Sequence, residues 1–204
     1  MKLLILSILI LFFSSSVFAE GNSYKVDLDN DGREELIVVD KQFETTEDPP
    51  IVISGLVTVF KADGSEVGSF IIRNYMGDVE TISLNRDGSR QIVAWSFGGA
   101  HYTNIAIYGY NDGRLYKIFE NGSAGPVKVD FEADEPIIKV GRANWEQKSW
   151  CYATGEPLWQ VYVWSGEEFI YDEDLSTTPE ISEEEEVDRY VNKVMNLLKQ
   201  KENQ

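Results

Sequence analysis

The chain has 204 residues, 35 of them acidic against 18 basic, for a net charge of −17, and it contains one histidine and one cysteine. A field this negative repels phosphate backbones and anionic lipid surfaces and concentrates cations, which argues against nucleic-acid binding and for divalent-ion binding or simple solubility. One cysteine forms no intrachain disulfide, and one histidine builds neither a histidine metal cluster nor a paired-histidine mechanism.

The chain opens with Lys2, an apolar run from Leu3 to Phe13, and Ser14-Ser15-Ser16-Val17-Phe18-Ala19. This reads as a signal peptide over residues 1–19, with the small Val17 and Ala19 where signal peptidase reads. The apolar run is too short for a comfortable membrane span, and no later stretch approaches ~20 uninterrupted apolar residues. The expectation is therefore an exported chain, periplasmic or extracellular, with no membrane span. Glu20 follows Ala19, so no lipid anchor is expected. Cys151 is expected to be buried as a small apolar residue, the alternative being pairing between chains.

The next stretch is Asp27-Leu28-Asp29-Asn30-Asp31-Gly32-Arg33-Glu34-Glu35, followed by the apolar run Leu36-Ile37-Val38-Val39. Aspartates two apart aim alternate carboxylates at one point, Gly32 permits a sharp turn and Glu35 closes the cage. Such a density of hard oxygen ligands suits Ca²⁺. The expected ligands are the side chains of Asp27, Asp29, Asp31 and Glu35 with the backbone carbonyl of Arg33. An EF-hand would place its bidentate glutamate at position 38, which is Val38, and the flanks are β-branched. The stretch resembles instead the calcium loop of FG-GAP (integrin α-type, VCBS-like) β-propeller repeats, with the pattern Asp-x-Asp-x-Asp-Gly-x-x-Asp/Glu between two strands.

A period of roughly fifty residues then emerges. The first unit comprises Tyr24-Lys25-Val26, Glu35 to Asp40, Ile51 to Lys61 and Glu66 to Ile72. The second comprises Val79 to Leu84, Gln91 to Trp95, Asn104 to Tyr110 and Leu115 to Phe119. The third comprises Pro126 to Phe131, Ile137 to Val140, Trp159 to Trp164 and Glu168 to Tyr171. Alternation such as Ile105-Ala106-Ile107-Tyr108, with turns such as Asn111-Asp112-Gly113, predicts antiparallel hairpins. The predicted fold is all-β: three four-stranded antiparallel blade-like repeats over residues 20–175, followed by an acidic linker and amphipathic helix over 176–204. The hairpins "VTVFKADGSEVGSF", "IAIYGYNDGRLYKIF" and "VYVWSGEEFIYD" extend the FG-GAP/VCBS-like resemblance over about 150 residues. Closed propellers have about four or more blades. Three units imply either an incomplete propeller or a ring completed by association of chains.

The turns equivalent to the aspartate loop are degenerate. The second offers Ser83, Asn85, Asp87, Gly88 and Gln91; the third offers Asp130, Glu132 and Asp134, with Glu135 in place of the glycine and Ile138 at the closing position. Both are read as metal-free. After Ser176-Thr177-Thr178-Pro179, Ser182 and Glu185 form a capping box ahead of a helix whose apolar residues are Val187, Tyr190, Val191, Val194, Leu197 and Leu198. That stripe is expected to pack across the open edge of the sheets, or else on another chain.

Long connections between the second and third strands of each unit carry the other candidate site. They hold Phe43, Ser96-Phe97-Gly98-Gly99-Ala100-His101-Tyr102, and Trp145, Trp150 and Tyr152. Phe97, His101, Tyr102, Trp145, Trp150 and Tyr152 form the expected ligand face, opposite the aspartate loop, for a protein or glycan partner. No Gly-x-Ser-x-Gly elbow, phosphate loop or paired-cysteine motif accompanies His101, so no catalytic residue is assigned. The expected function is a non-enzymatic, exported, calcium-stabilised binding module. The rivals are a small secreted hydrolase using loop carboxylates such as Glu146 and Glu156, and a structural subunit of a surface or periplasmic assembly.

Overall fold

The computed structural model describes residues 22–44, 51–73, 77–98, 102–144 and 155–202. Twelve strands form three antiparallel meanders, each running in sequence order across its sheet. The first sheet holds β1 (Asn22–Val26), β2 (Glu35–Glu44), β3 (Ile51–Phe60) and β4 (Glu66–Arg73). The second holds β5 (Val79–Ile82), β6 (Gln91–Gly98), β7 (Tyr102–Asn111) and β8 (Arg114–Ser123), and the third β9 (Val127–Asp130), β10 (Ile137–Arg142), β11 (Leu158–Trp164) and β12 (Phe169–Asp172). One helix, α1 (Glu183–Glu202), follows. The all-β expectation with three four-stranded sheets and a C-terminal helix holds.

Local chemistry sets the hairpins. Asp112 and Gly113 both take positive φ, 50° and 73°, and connect the paired residues Asn111 and Arg114. Two left-handed central residues twist the chain in the sense of the flanking strands, which is why Asn-Asp-Gly gives a two-residue hairpin there. Strand direction places this turn, the aspartate loop and the 61–65 turn at one end of the sheets, and the last residues of β2 and β6 at the other.

The middle sheet is buried on both faces, and the period of two divides its side chains. Ile92, Ala94, Ala106 and Tyr110 pack with Leu28, Ile37, Val39, Val57, Val59 and Ile72 of the first sheet region. The neighbours in between, Val93, Ile105, Ile107 and Phe119, pack with Ile138, Val140, Tyr162 and Phe169 of the third. Phe119 sits edge-on to Tyr162 and Phe169, with ring centroids 5.0 and 5.5 Å apart. Each outer sheet therefore covers one face of the middle one, the arrangement that buries most apolar surface from three meanders.

Two features differ from the sequence-based expectation. The second connection is shorter than expected, because β6 continues to Gly98 and β7 begins at Tyr102, leaving 99–101 between them. The apolar stripe of α1 is not buried as expected: Val187, Tyr190, Val191 and Leu198 are each about half exposed and Val194 is half-buried, while the Leu197 side chain lies outside the described residues. The first turn docks through its cap and Glu186. The capping box forms as predicted, Ser182 N donating to Glu185 Oε2 at 2.9 Å and Glu185 N to Ser182 Oγ at 3.1 Å. Glu186 then enters the protein and pairs with the buried Arg142 at 3.0 Å. The signal peptide lies outside the described residues, as do Cys151 and Glu146. Among the described residues no helix is long and apolar enough to cross a membrane.

Candidate functional site

The aspartate loop connects β1 to β2 and closes on the register pair Val26 and Glu35. Asn30 and Gly32 take positive φ, 59° and 86°, which folds the backbone back over its own carboxylates. Asp27 accepts from the amides of Asp31 at 3.1 Å and Gly32 at 2.9 Å, and Asp31 accepts from the amide of Arg33 at 2.8 Å. Glu35 is 3% exposed and accepts from the amide of Leu28 at 2.9 Å. One carboxylate oxygen from each of Asp27, Asp29 and Glu35 lies within 4.8 Å of the others. Of the expected ligand set the structure thus brings three side chains together. Asp31 stands outside that group, engaged with Arg33.

The electrostatics of this grouping are unfavourable by themselves. Burial pushes the Glu35 carboxyl above the ordinary range, the Leu28 amide pulls it down, and the Asp29 and Asp31 charges push it up again. Tyr110, beneath the loop, is raised by burial first and then by the same acidic field, Glu35 foremost. A carboxylate held in a dry, negative setting is stabilised by a bound cation or a proton.

The second turn supplies an internal comparison, because it has the same length and the same closing geometry. Its strands pair at Ile82 and Gln91, and Leu84 N donates to Gln91 Oε1 at 2.8 Å, matching the bond from Leu28 to Glu35. Here neutral side chains replace three of the four carboxylates, Asp87 being the one retained. Ser83 Oγ shares its one proton between the carbonyls of Asn85 and Ser89, at 3.0 and 3.1 Å, and Gln91 Nε2 donates to Ser89 Oγ at 3.3 Å. Asp87 is held below the ordinary carboxylate range by the Ser89 hydroxyl and then its amide, at 2.7 and 2.9 Å. The turn is satisfied by its own hydrogen bonds. The two turns also touch, Asn30 Nδ2 donating to the Asp87 carbonyl at 2.9 Å.

The third turn departs from the alignment expected from spacing. Its strands pair at Asp130 and Ile137, so it is two residues shorter and Ile137, rather than Ile138, stands where Glu35 stands in the first. Ile138 is instead fully buried in the core. Glu132 is exposed, and the fully exposed Asp134 carboxylate faces Arg86 at 3.9 Å. Among the described residues these acids do not gather around a point.

The expected ligand face is divided. Phe97 and Tyr102 lie on opposite faces of the middle sheet, since Gly98 pairs with Tyr102 and Phe97 with Thr103. Tyr102 borders a large cleft against the first sheet; Phe97, 45% exposed, borders a shallow hollow beside Trp95 and Pro126. His101, Trp145, Trp150 and Tyr152 lie outside the described residues.

Near the same end sits a buried polar network that spacing alone does not reveal. Arg142, 1% exposed, donates to Gln160 Oε1 at 2.6 Å, the Gly122 carbonyl at 2.6 Å, Asn121 Oδ1 at 2.7 Å and Glu186 Oε2 at 3.0 Å. Glu186 also accepts from the Ala143 amide at 2.9 Å. The planar guanidinium satisfies acceptors from β8, β11 and α1 at once, which suits a structural joint. Arg142 ends a mostly apolar stretch, Ile137-Ile138-Lys139-Val140-Gly141, and that position inside a strand is the one trace of its role in the sequence. No family model matches the chain, and no curated protein matches it, so the functional reading rests on its own residues.

Proposed function

We propose that the chain is an exported, calcium-stabilised β-repeat module that binds a protein or glycan partner at the end of the sheets opposite the aspartate loop. The observation that carries the calcium reading is the convergence of Asp27, Asp29 and Glu35 within 4.8 Å beside a turn of equal length that keeps one carboxylate, Asp87, and satisfies it with the Ser89 hydroxyl and amide. Ca²⁺ takes six to eight oxygens, and the three side chains, with backbone carbonyls such as that of Arg33 and with water, supply that kind of donor set. Asp31 orients the loop through the Arg33 amide. Bound calcium would neutralise the repulsion and clamp the first hairpin against the second through Asn30. The resemblance to FG-GAP/VCBS-like repeats supports the same role, and extends to a propeller completed by association of chains.

Calcium titration of the mature chain, read as thermal stability, tests the reading. Extracellular modules bind calcium with Kd of about 10⁻⁴ to 10⁻³ M. At a hundredfold excess over Kd the linkage gain is about 2.7 kcal/mol, a Tm rise of roughly 5–10 °C for a chain of this size. The double substitution Asp27→Asn with Asp29→Asn should abolish the rise. An unchanged Tm in the parent chain across millimolar calcium would sink the reading, and light scattering with and without calcium reports whether chains associate.

A further inference from the structure

Away from the acidic turns the first and second sheets part, leaving an open cleft of about 1230 Å³. Its floor is the face of the middle sheet that elsewhere meets the first. Along β6 that face is apolar at Ile92 and Ala94 and becomes polar at Ser96; along β7 it is apolar at Ala106 and becomes polar at Asn104. Ser96 and Asn104 are directly paired across the two strands, so their side chains leave the sheet together. Both line the cleft.

These two residues lack what buried polar groups normally have. Ser96 is 1% exposed, and among the described residues neither its Oγ nor Asn104 Oδ1 has a hydrogen-bond partner. An unpartnered polar atom at the base of a concave site is costly in the empty protein and is relieved by a ligand that supplies the missing donor or acceptor. The rest of the lining restricts that ligand. Tyr102 and Tyr108 present aromatic surface, Tyr108 being fixed by stacking on Phe70 with ring centroids 3.8 Å apart. Glu120, paired with Lys117 at 2.7 Å, and Glu180 line the cleft, with Arg73 as the single cation among the described lining residues, in a chain of net charge −17. An anionic ligand is disfavoured there. A hydroxyl-rich neutral ligand is suited, because each hydroxyl both donates and accepts while the C–H faces of its rings lie on tyrosine. The volume exceeds the ~300–1,000 Å³ of a site for one drug-sized molecule, which favours a chain of several units.

We propose that the cleft between the first and second sheets binds a neutral oligosaccharide, with Ser96 and Asn104 hydrogen-bonding it and Tyr102 and Tyr108 stacking on its rings. This rests on the reading of the chain as a binding module and narrows its partner to one chemistry. The test is titration calorimetry of the mature chain in calcium buffer with neutral oligosaccharides of glucose, of mannose and of N-acetylglucosamine, alongside an oligogalacturonate and a lysine-rich peptide. A neutral oligosaccharide should bind, and Ser96→Ala and Asn104→Ala should each weaken it by about tenfold while leaving the calcium-induced rise in Tm intact. Tyr102→Ala, at the mouth of the cleft, gives a third variant should either floor substitution impair folding. Ser96→Ala should leave the sugar-free Tm equal or higher, because it removes an unpartnered hydroxyl. The proposal is overturned if no neutral saccharide binds, if binding survives all the substitutions, if the peptide or the acidic sugar is preferred, or if Ser96→Ala lowers the sugar-free Tm. Loss of the calcium response with saccharide binding intact would overturn the calcium reading alone.

Discussion

Glu35 and Gln91 occupy matching positions, accept the same backbone bond, and differ in charge alone. Burial raises the Glu35 carboxyl above its ordinary 4.5, so the folded chain holds that proton more tightly than the unfolded chain. The sign of the linkage follows: its contribution to stability is greatest in acid and is lost as pH rises through and above 4.5 toward the raised folded value. In chelator, Glu35→Gln should remove this loss and give a chain at least as stable as the parent at neutral pH, but without a calcium response. Calcium should stabilise the parent more as pH rises, because its ligands must be deprotonated. Melting curves from about pH 4 to pH 8 with chelator and with calcium measure both; parallel profiles for parent and variant in chelator would contradict the assignment. The loop itself was legible in the sequence because ligand spacing and Gly32 are local properties. The separation of Asp31 from the other acids was not, since it depends on the amide of Arg33 that Asp31 accepts from.

At the scale of elements, the docking of α1 depends on one buried ion pair rather than on its apolar stripe. Arg142 and Glu186 are 1% and 3% exposed, and removing either leaves the other charge buried alone. Glu186→Leu should therefore cost about 3–5 kcal/mol, as should Arg142→Met, while the double variant should cost clearly less than the two together. Urea unfolding of the four chains measures the coupling, and additive losses would show that the pair does not act as a unit. The capping box was readable because Ser182 and Glu185 are three apart and interact within one turn. The partner of Glu186 was not, because Arg142 lies 44 residues earlier in the chain and is brought there by the third sheet. The same reasoning explains the helix stripe: helical spacing says which residues share a face, and says nothing about what that face meets.

For the whole molecule, the middle sheet is shared by both clusters, so a void on either side should be felt throughout. Ile107→Ala, facing the third sheet, should lower stability by about 2–5 kcal/mol and Val59→Ala, facing the second from the first, by less, and both should shift one common transition followed by far-ultraviolet dichroism and tryptophan fluorescence. Two separate transitions would mean that the outer sheets unfold independently. The sequence by itself determined the twelve strands, the hairpin turns, the acidic loop and the capped helix, because alternation, turn chemistry and capping act over a few residues. Only the tertiary structure decided that the middle sheet is buried on both faces, that Phe97 and Tyr102 point to opposite sides of it, that the third turn is two residues short, and that Ser96 and Asn104 meet at the base of a cleft. Those facts depend on strand register and on which sheet stacks against which, and both are settled by burial between residues far apart in the chain.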